Sequence, residues 1–204
     1  KHVLLFPATP AECFELTATA FDLAEELQTP VIVLSDLDLG MNEHASPPLA
    51  WDDGRSYQRG RLLNAAQLAE LAEKMEKWGR YLDRDGDGIG WRTLPGTDLE
   101  RGVYFTRGTS HNEFSGYTED SHEYVKNMQR LALKWQTARL KVPAALTDAD
   151  GHADPAATDA NAGGPGVICY GTSSAAVDEA VAMLAQNCNL KPAILRLRAF
   201  PFGP

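Results

Sequence analysis

A chain of 204 residues with 44% hydrophobic content can bury one good core and a second small one. Its formal net charge of −9, from 28 acidic against 19 basic residues, speaks against nucleic acid as a partner, because phosphate binding rests on clustered Lys and Arg. No apolar run approaches the roughly 20 residues that span a bilayer, and Lys1-His2 leads straight into a short strand, so neither membrane nor signal peptide is expected.

Val3 to Phe6 reads as a short strand, and Thr9-Pro10-Ala11-Glu12 as a capping box with Pro at the first helical position. The helix it opens carries Cys13, Leu16, Ala20, Leu23, Ala24 and Leu27 on one face. Pro30 stops it, and Val31 to Leu34 follows as an unbroken apolar run, the pattern of a parallel strand covered on both faces. Ser35, Asp36 and Asp38 come at the carboxyl end of this strand, where open α/β sheets bind ligands. Ser and Asp in that position also serve as helix or turn caps, and both readings stand. The whole is a βαβ unit and thus a piece of a parallel sheet.

From Glu43 to Gly60 the composition shifts to Pro, Gly, Asp and Trp, which marks an ordered excursion. Asn64 then caps a second helix with Gln67 three residues on, and Leu68, Leu71, Ala72, Met75 and Trp78 are its expected buried stripe. Gly79 to Thr118 lacks strong periodicity, and only Val103 to Phe105 looks like a strand. Loops of that length in a compact domain are usually functional or packed on neighbours. A helix is expected from about Asp120 to Leu140, with Asp120 and Glu123 as a capping pair and Tyr124, Met128, Leu131, Trp135 and Ala138 on one side.

Val142 to Pro165, rich in Ala, Asp, Gly and Pro, has the composition of a linker or mobile connection. Beyond it, Val167 to Tyr170, the helix Val177 to Leu184 and the strand Ala193 to Leu197 form a second βαβ unit. The expected division is therefore 1–141, linker 142–165 and a further domain over 166–204. A start without Met and an end at Pro204, soon after that strand, lead us to expect a fragment of a longer polypeptide. Cys13, Cys169 and Cys188, odd in number and widely spaced, read as reduced, buried thiols of a cytoplasmic protein.

Three constellations bear chemistry. Asp83, Asp85 and Asp87 alternate with Arg84 and Gly86 in the DxDxDG spacing that opens a calcium loop, but Leu94 stands where a bidentate Glu is expected. A weakly held calcium ion and a turn whose Asp side chains bond backbone N–H groups are both open. Gly86-Asp87-Gly88 also matches half of a thiamine diphosphate magnesium motif; it follows a helix and lacks a paired Asn-Asn downstream, so it is rejected as a diphosphate site. The loop Thr106-Arg107-Gly108-Thr109-Ser110-His111-Asn112-Glu113 offers His111 as a candidate catalytic residue, since His moves protons near neutral pH; a hydrogen-bonding structural role is the alternative.

The ordered series TPVIVLSDLDLGMN, RYLDRDGDGIGWRTLPGT, YFTRGTSHNEFSGYTED, GVICYGTSSAAVDEA and LRLRAFPF resembles the α subunit of 2-oxoacid:ferredoxin oxidoreductases, in particular the 2-oxoglutarate type, over nearly the whole chain. The resemblance implies an α/β protein: part of a parallel-sheet thiamine-binding-type domain, followed by the start of a transketolase C-terminal-like α/β domain. It implies oxidative decarboxylation of a 2-oxoacid to its acyl-CoA with thiamine diphosphate, electrons leaving through an iron-sulfur cluster to ferredoxin. The diphosphate and magnesium site and the cluster cysteines would belong to a partner β subunit, and the substrate-contacting loops would lie upstream of Lys1. No cofactor-binding residue is therefore assigned to this chain, and the chain alone is expected to be inactive. A non-catalytic, cation-stabilised α/β interaction domain and a sugar- or CoA-type transferase are the alternatives.

Overall fold

The computed structural model describes residues 2–74, 76–147 and 165–203. The chain packs as two compact units, one of residues 1–24, 29–57 and 139–204 and one of residues 25–28 and 58–138. This division follows packing in space and differs from the sequence-based 1–141, 142–165 and 166–204. Met75 of the expected stripe and residues 148–164 of the expected connection lie outside the described residues.

The first unit contains both βαβ patterns. Strand β1 (Val3–Leu5) is followed by α1 (Pro10–Leu27) and β2 (Val31–Val33), and β1 and β2 pair in parallel with Val3 opposite Val31. Thr9 Oγ1 accepts the Glu12 N–H at 3.2 Å, while the Glu12 carboxylate reaches back to the Ala8 N–H at 2.8 Å, so the expected capping box closes one residue further out. Helix α1 buries Leu16, Ala20, Leu23 and Leu27, and β1 buries Val3 and Leu5. Each such leucine contributes about 1.5–3 kcal/mol by leaving water.

Strand β2 departs from expectation. It forms the edge of a sheet ordered β2-β1-β6, and Ile32 and Leu34 remain 41% and 43% exposed, so the run is not covered on both faces. An apolar run states a preference for burial, whereas position in the sheet decides it. The other edge is β6 (Ala199–Phe200), antiparallel to β1, a strand of two residues that is too short to show a period in the sequence.

The second sheet is ordered β3-β5-β4, from β3 (Leu146–Thr147), β4 (Gly166–Tyr170) and β5 (Ala193–Leu197). The expected parallel pair β4 and β5 is present, with Ile168 opposite Leu195, and α5 (Ser173–Cys188) packs on β4. Helix α5 is longer than the expected 177–184 because Ala and polar residues at both ends propagate a helix without showing an apolar period. Asn189, in the left-handed region at φ 51°, caps its carboxyl end. The residues just before the undescribed segment are structured: Val142 is buried, and Leu146 and Thr147 pair with β5. The excursion after β2 is ordered as expected. Trp51 stands edge-on to Phe14 and stacks with Tyr57, and Arg55 pairs with Asp22 at 2.7 Å.

In the second unit Asn64 and Gln67 form the expected reciprocal capping box at 2.9 Å in each direction, opening α3 (Ala65–Glu73). Among the described residues of its stripe Leu68 alone is buried, and Ala72 is exposed. Helix α4 (Ser121–Arg139) matches the expected span, but Tyr124 and Met128 are 52% and 42% exposed and Ala138 is its buried residue. Asp120 accepts the His122 N–H at 2.8 Å, while Glu123 pairs with Lys126 instead of capping. Val103 to Phe105 is exposed coil and not a strand. The long loop is nonetheless packed: Ile89 is buried, and the buried Thr93 hydroxyl donates to the Gly102 carbonyl at 2.6 Å. No helix among the described residues is long and apolar enough to cross a membrane.

Candidate functional site

The residues singled out in the second unit fall on the loop between α3 and α4. Asp83 turns both carboxylate oxygens inward on backbone, accepting from the N–H groups of Gly86 (2.9 Å), Asp87 (3.2 Å) and Gly88 (2.9 Å). That is the turn in which an Asp replaces a backbone acceptor. Gly86 and Gly88 are both left-handed, at φ 75° and 82°, and a Cβ on Gly88 would sit 2.3 Å from the Lys134 nitrogen of α4. The glycine at 88 therefore permits close approach of loop and helix, a packing role and not a cradle for phosphate.

Asp85 and Asp87 find a partner that spacing did not suggest. Arg61 forms a bidentate pair with Asp87, Nη1 at 2.9 Å and Nη2 at 2.6 Å, and Nη1 also lies 3.0 Å from Asp85. Trp91 Nε1 donates to Asp85 at 2.8 Å, and the Ile89 N–H donates to Asp87 at 3.0 Å. Hydrogen bonding to Asp87, helped by the surrounding aspartates, holds the Arg61 pKa above its ordinary value. Arg84 points away from the aspartates and pairs with Glu76, and Arg92 pairs with Glu25. A calcium ion would have to displace a guanidinium already seated in this cluster. Among the described residues no group of three or more His, Cys, Asp or Glu side chains is placed to hold a metal ion. With Asp87 so engaged, Gly86-Asp87-Gly88 does not fit a diphosphate-bound magnesium ion either.

His111 is half-buried and stacks on Tyr81, ring centroids 3.9 Å apart and planes 24° from parallel. Its Nδ1 lies 3.0 Å from the Asn112 carbonyl, so Nδ1 carries the proton and Nε2 holds the lone pair in the neutral ring. The Asn127 side chain donates to the His111 carbonyl and anchors the loop to α4. Tyr81 and Asp83 line a cleft of about 310 Å³ with Arg130 and Glu113. The loop thus brings Asp83 and the Tyr81 ring to one cleft, with His111 stacked on that ring and, among the described residues, no carboxylate paired to His111.

Two basic residues of α4 escaped the sequence reading. Arg130 donates to the Gly88 carbonyl at 2.9 Å and stands 5.7 Å from the Tyr81 ring; burial, then Arg80, lowers its pKa. Lys134 donates to the Gln28 carbonyl at 3.2 Å, and burial, then Arg130 and Arg80, lower its pKa to about 8. Their four-residue spacing on α4 is the available signal, obscured by the apolar period of the same helix.

In the first unit, Asp36 N-caps the short α2 (Leu37–Met41), accepting the Leu39 N–H at 2.9 Å. Its other oxygen accepts the Thr172 hydroxyl at 2.6 Å, which ties the end of β2 to the turn between β4 and α5. Those bonds, the Leu39 one foremost, lower the Asp36 pKa. Both oxygens are engaged structurally, which favours the cap over direct ligand contact, and the Ser35 hydroxyl lies 3.4 Å from the Asp36 carbonyl. The cysteines are free thiols; Cys169 is buried, but Cys13 is half-buried and Cys188 exposed, which corrects the expectation of three buried thiols.

No protein-family model matches the chain. Over 47 residues, 22% of this chain and 12% of the relative, it is 47% identical to the 2-oxoglutarate synthase subunit KorA of Methanothermobacter marburgensis. Its fold matches a solved 2-oxoglutarate:ferredoxin oxidoreductase from Magnetococcus marinus, determined with 2-oxoglutarate, coenzyme A and succinyl-CoA bound. That match has a TM-score of 0.73 and 18% identity, over 98% of this chain and 31% of that one. The chain thus spans about a third of the length of the solved chain and an eighth of the curated relative. By name one is a subunit of a 2-oxoglutarate synthase and the other a 2-oxoglutarate:ferredoxin oxidoreductase, both enzymes, and the mixed α/β fold is shared with the second.

Proposed function

We propose that this chain is part of the α subunit of a thiamine-diphosphate-dependent 2-oxoacid:ferredoxin oxidoreductase, one that converts a 2-oxoacid, 2-oxoglutarate first among them, to its acyl-CoA and reduces ferredoxin. The observation that carries the reading is a fold match over 98% of the chain, joined to 47% identity over 47 residues with a second enzyme of the same reaction class. Thiamine diphosphate supplies the carbanion chemistry when bound in the assembled enzyme. As the resemblance implies, its magnesium site and the iron-sulfur cluster belong to a partner β subunit; the Gly86-Asp87-Gly88 turn of this chain, closed by Arg61, does not supply that site.

In this reading residues 1–141 belong to the thiamine-binding-type domain and 166–204 to the transketolase C-terminal-like domain, in a cytoplasmic protein. The contribution of the described residues is positional. The Asp36–Thr172 bond holds the carboxyl ends of β2 and β4 together, and the loop holds the His111 ring against Tyr81. His111 is the candidate for proton transfer.

The test is assembly. The chain should co-purify with a β subunit of this enzyme class and bind thiamine diphosphate only in that complex. Micromolar binding of the cofactor by the isolated chain would overturn the division of labour, and failure of the pair to associate would favour a non-catalytic interaction domain.

A further inference from the structure

The second unit holds a cleft of about 510 Å³ between α3 and the long loop, within the range of small-molecule sites. The rings of Trp78, Tyr104 and Phe114 line it, with Trp78 edge-on to Tyr104 at 5.7 Å. Two cations stand over these rings, Lys77 Nζ 4.7 Å from the centre of Phe114 and the Arg80 guanidinium 5.8 Å from that of Tyr104. Neither makes an ion pair or hydrogen bond among the described residues. The other charges of the lining are Glu76, which pairs with Arg84, Arg101, which pairs with Asp98, and Glu100. Lys77 and Arg80 therefore outweigh Glu100, and the cleft is cationic in a protein of net charge −9.

A third observation is independent of charge. Ser115 lines the same cleft, is 4% exposed, and its hydroxyl is buried with no hydrogen-bond partner among the described residues. Its backbone is left-handed at φ 71°, a conformation that costs a non-glycine residue about 1–2 kcal/mol. The turn is imposed by Asn112, whose side-chain oxygen accepts from the N–H groups of Phe114 (3.0 Å) and Gly116 (2.9 Å). Local strain and an unsatisfied buried hydroxyl are tolerated where a site needs them.

We propose that this cleft binds a purine nucleotide, the base lying against Trp78, Tyr104 and Phe114, the phosphate held by Lys77 and Arg80, and the Ser115 hydroxyl serving the ligand. Aromatic side chains stack on a base, and Lys and Arg supply the donors and charge a phosphate requires. Aromatic lining alone would suit any apolar ring, and cations alone any anion; a cleft lined by both suits a ligand that carries both. Free mononucleotides and coenzyme A both carry this chemistry, and only the coenzyme A outcome rests on the proposed reaction.

The probe is AMP, titrated into the 204-residue chain by calorimetry, with adenosine and ribose 5-phosphate as half-ligands and coenzyme A as a second source of the same adenosine phosphate chemistry. AMP should bind, each half-ligand at least ~10-fold more weakly, since loss of a charge-assisted contact or of a stacked base is worth about 1–3 kcal/mol. The double variant Lys77→Gln/Arg80→Gln should weaken AMP by about 10-fold or more while leaving adenosine unchanged. Ser115→Gly should weaken AMP yet raise the melting temperature, because glycine accepts the left-handed backbone and leaves no buried hydroxyl unpaired. Equal affinity for coenzyme A and AMP would identify the adenosine phosphate end of a larger cofactor as the source, and preference for AMP a free mononucleotide. No AMP binding, or adenosine binding as tightly as AMP, would overturn the proposal, as would a double variant that folds and binds AMP like the parent.

Discussion

Replacing Lys134 by Met should stabilise the protein at neutral pH and lose that advantage in alkali. Lys134 lies on α4 beside Arg130 with Arg80 nearby, and burial, then those two cations, lower its pKa from 10.5 to about 8. A folded-state pKa below the unfolded one means that the unfolded chain binds more protons between the two values, so stability rises with pH from about 8 to 10.5 and is lowest when the amine is charged. The full difference corresponds to roughly 3 kcal/mol as an upper bound. Against it stands the 3.2 Å bond from Nζ to the Gln28 carbonyl, whose loss costs about 1–2 kcal/mol. Met retains the packing of the stem, so Lys134→Met should gain about 1–2 kcal/mol at pH 7 and be about 1 kcal/mol less stable than the parent near pH 10.5, where the charge penalty has faded and the lost hydrogen bond remains. Urea unfolding of parent and variant across this range is the assay, and the difference between the two cancels every other titrating group. A variant less stable than the parent by the same amount at every pH would refute the reasoning and make Lys134 a solvated or anion-paired cation.

Arg61→Met should cost about 2–4 kcal/mol, because it leaves Asp85 and Asp87 without their shared guanidinium; thermal unfolding checks it, and an unchanged melting temperature would count against the clamp. Millimolar calcium should leave the parent's melting temperature unchanged and raise that of Arg61→Met, where the cation has room; a rise in the parent that Asp85→Ala abolishes would favour the calcium loop instead. Asp36→Ala should cost about 1 kcal/mol through loss of the α2 cap, and more if the Thr172 bond matters. Because the folded Asp36 carboxyl titrates below its usual value, this contribution should be complete above about pH 4 and fade as pH falls through the folded value. Leu5→Ala, at a fully buried position of β1, should cost about 2–5 kcal/mol by chemical denaturation, and a cost under 1 would contradict the assigned core.

What could be read from the sequence were the features that neighbouring residues decide. The capping box of Asn64 and Gln67, the strand Ala193 to Leu197 and the helix near 120–140 follow from side chains within a turn or two of one another. Features set by distant pairing were not legible. Val31 to Leu34 has the composition of a covered strand, yet its place at a sheet edge depends on β1 and β6. Val103 to Phe105 has strand-forming residues but no strand partner among the described residues. The aspartate cluster was found by spacing, while its partner Arg61 stands 24 residues before Asp85 and 26 before Asp87, a separation no local pattern encodes. The cleft lined by Trp78, Tyr104 and Phe114 likewise assembles residues from α3's exit and two turns of the loop.

The central claim is that this chain serves a 2-oxoacid:ferredoxin oxidoreductase, and turnover tests it most directly. A polypeptide carrying this chain in the proposed α-subunit role is co-expressed with a β subunit of this enzyme class and supplied with thiamine diphosphate, magnesium, coenzyme A and oxidised ferredoxin. Ferredoxin reduction is followed optically on addition of 2-oxoglutarate, pyruvate or 2-oxoisovalerate, and the acyl-CoA product is identified by mass. The account predicts reduction that requires both the 2-oxoacid and coenzyme A, fastest with 2-oxoglutarate and yielding succinyl-CoA. An assembled, cofactor-loaded complex that reduces ferredoxin with none of the three acids would contradict it.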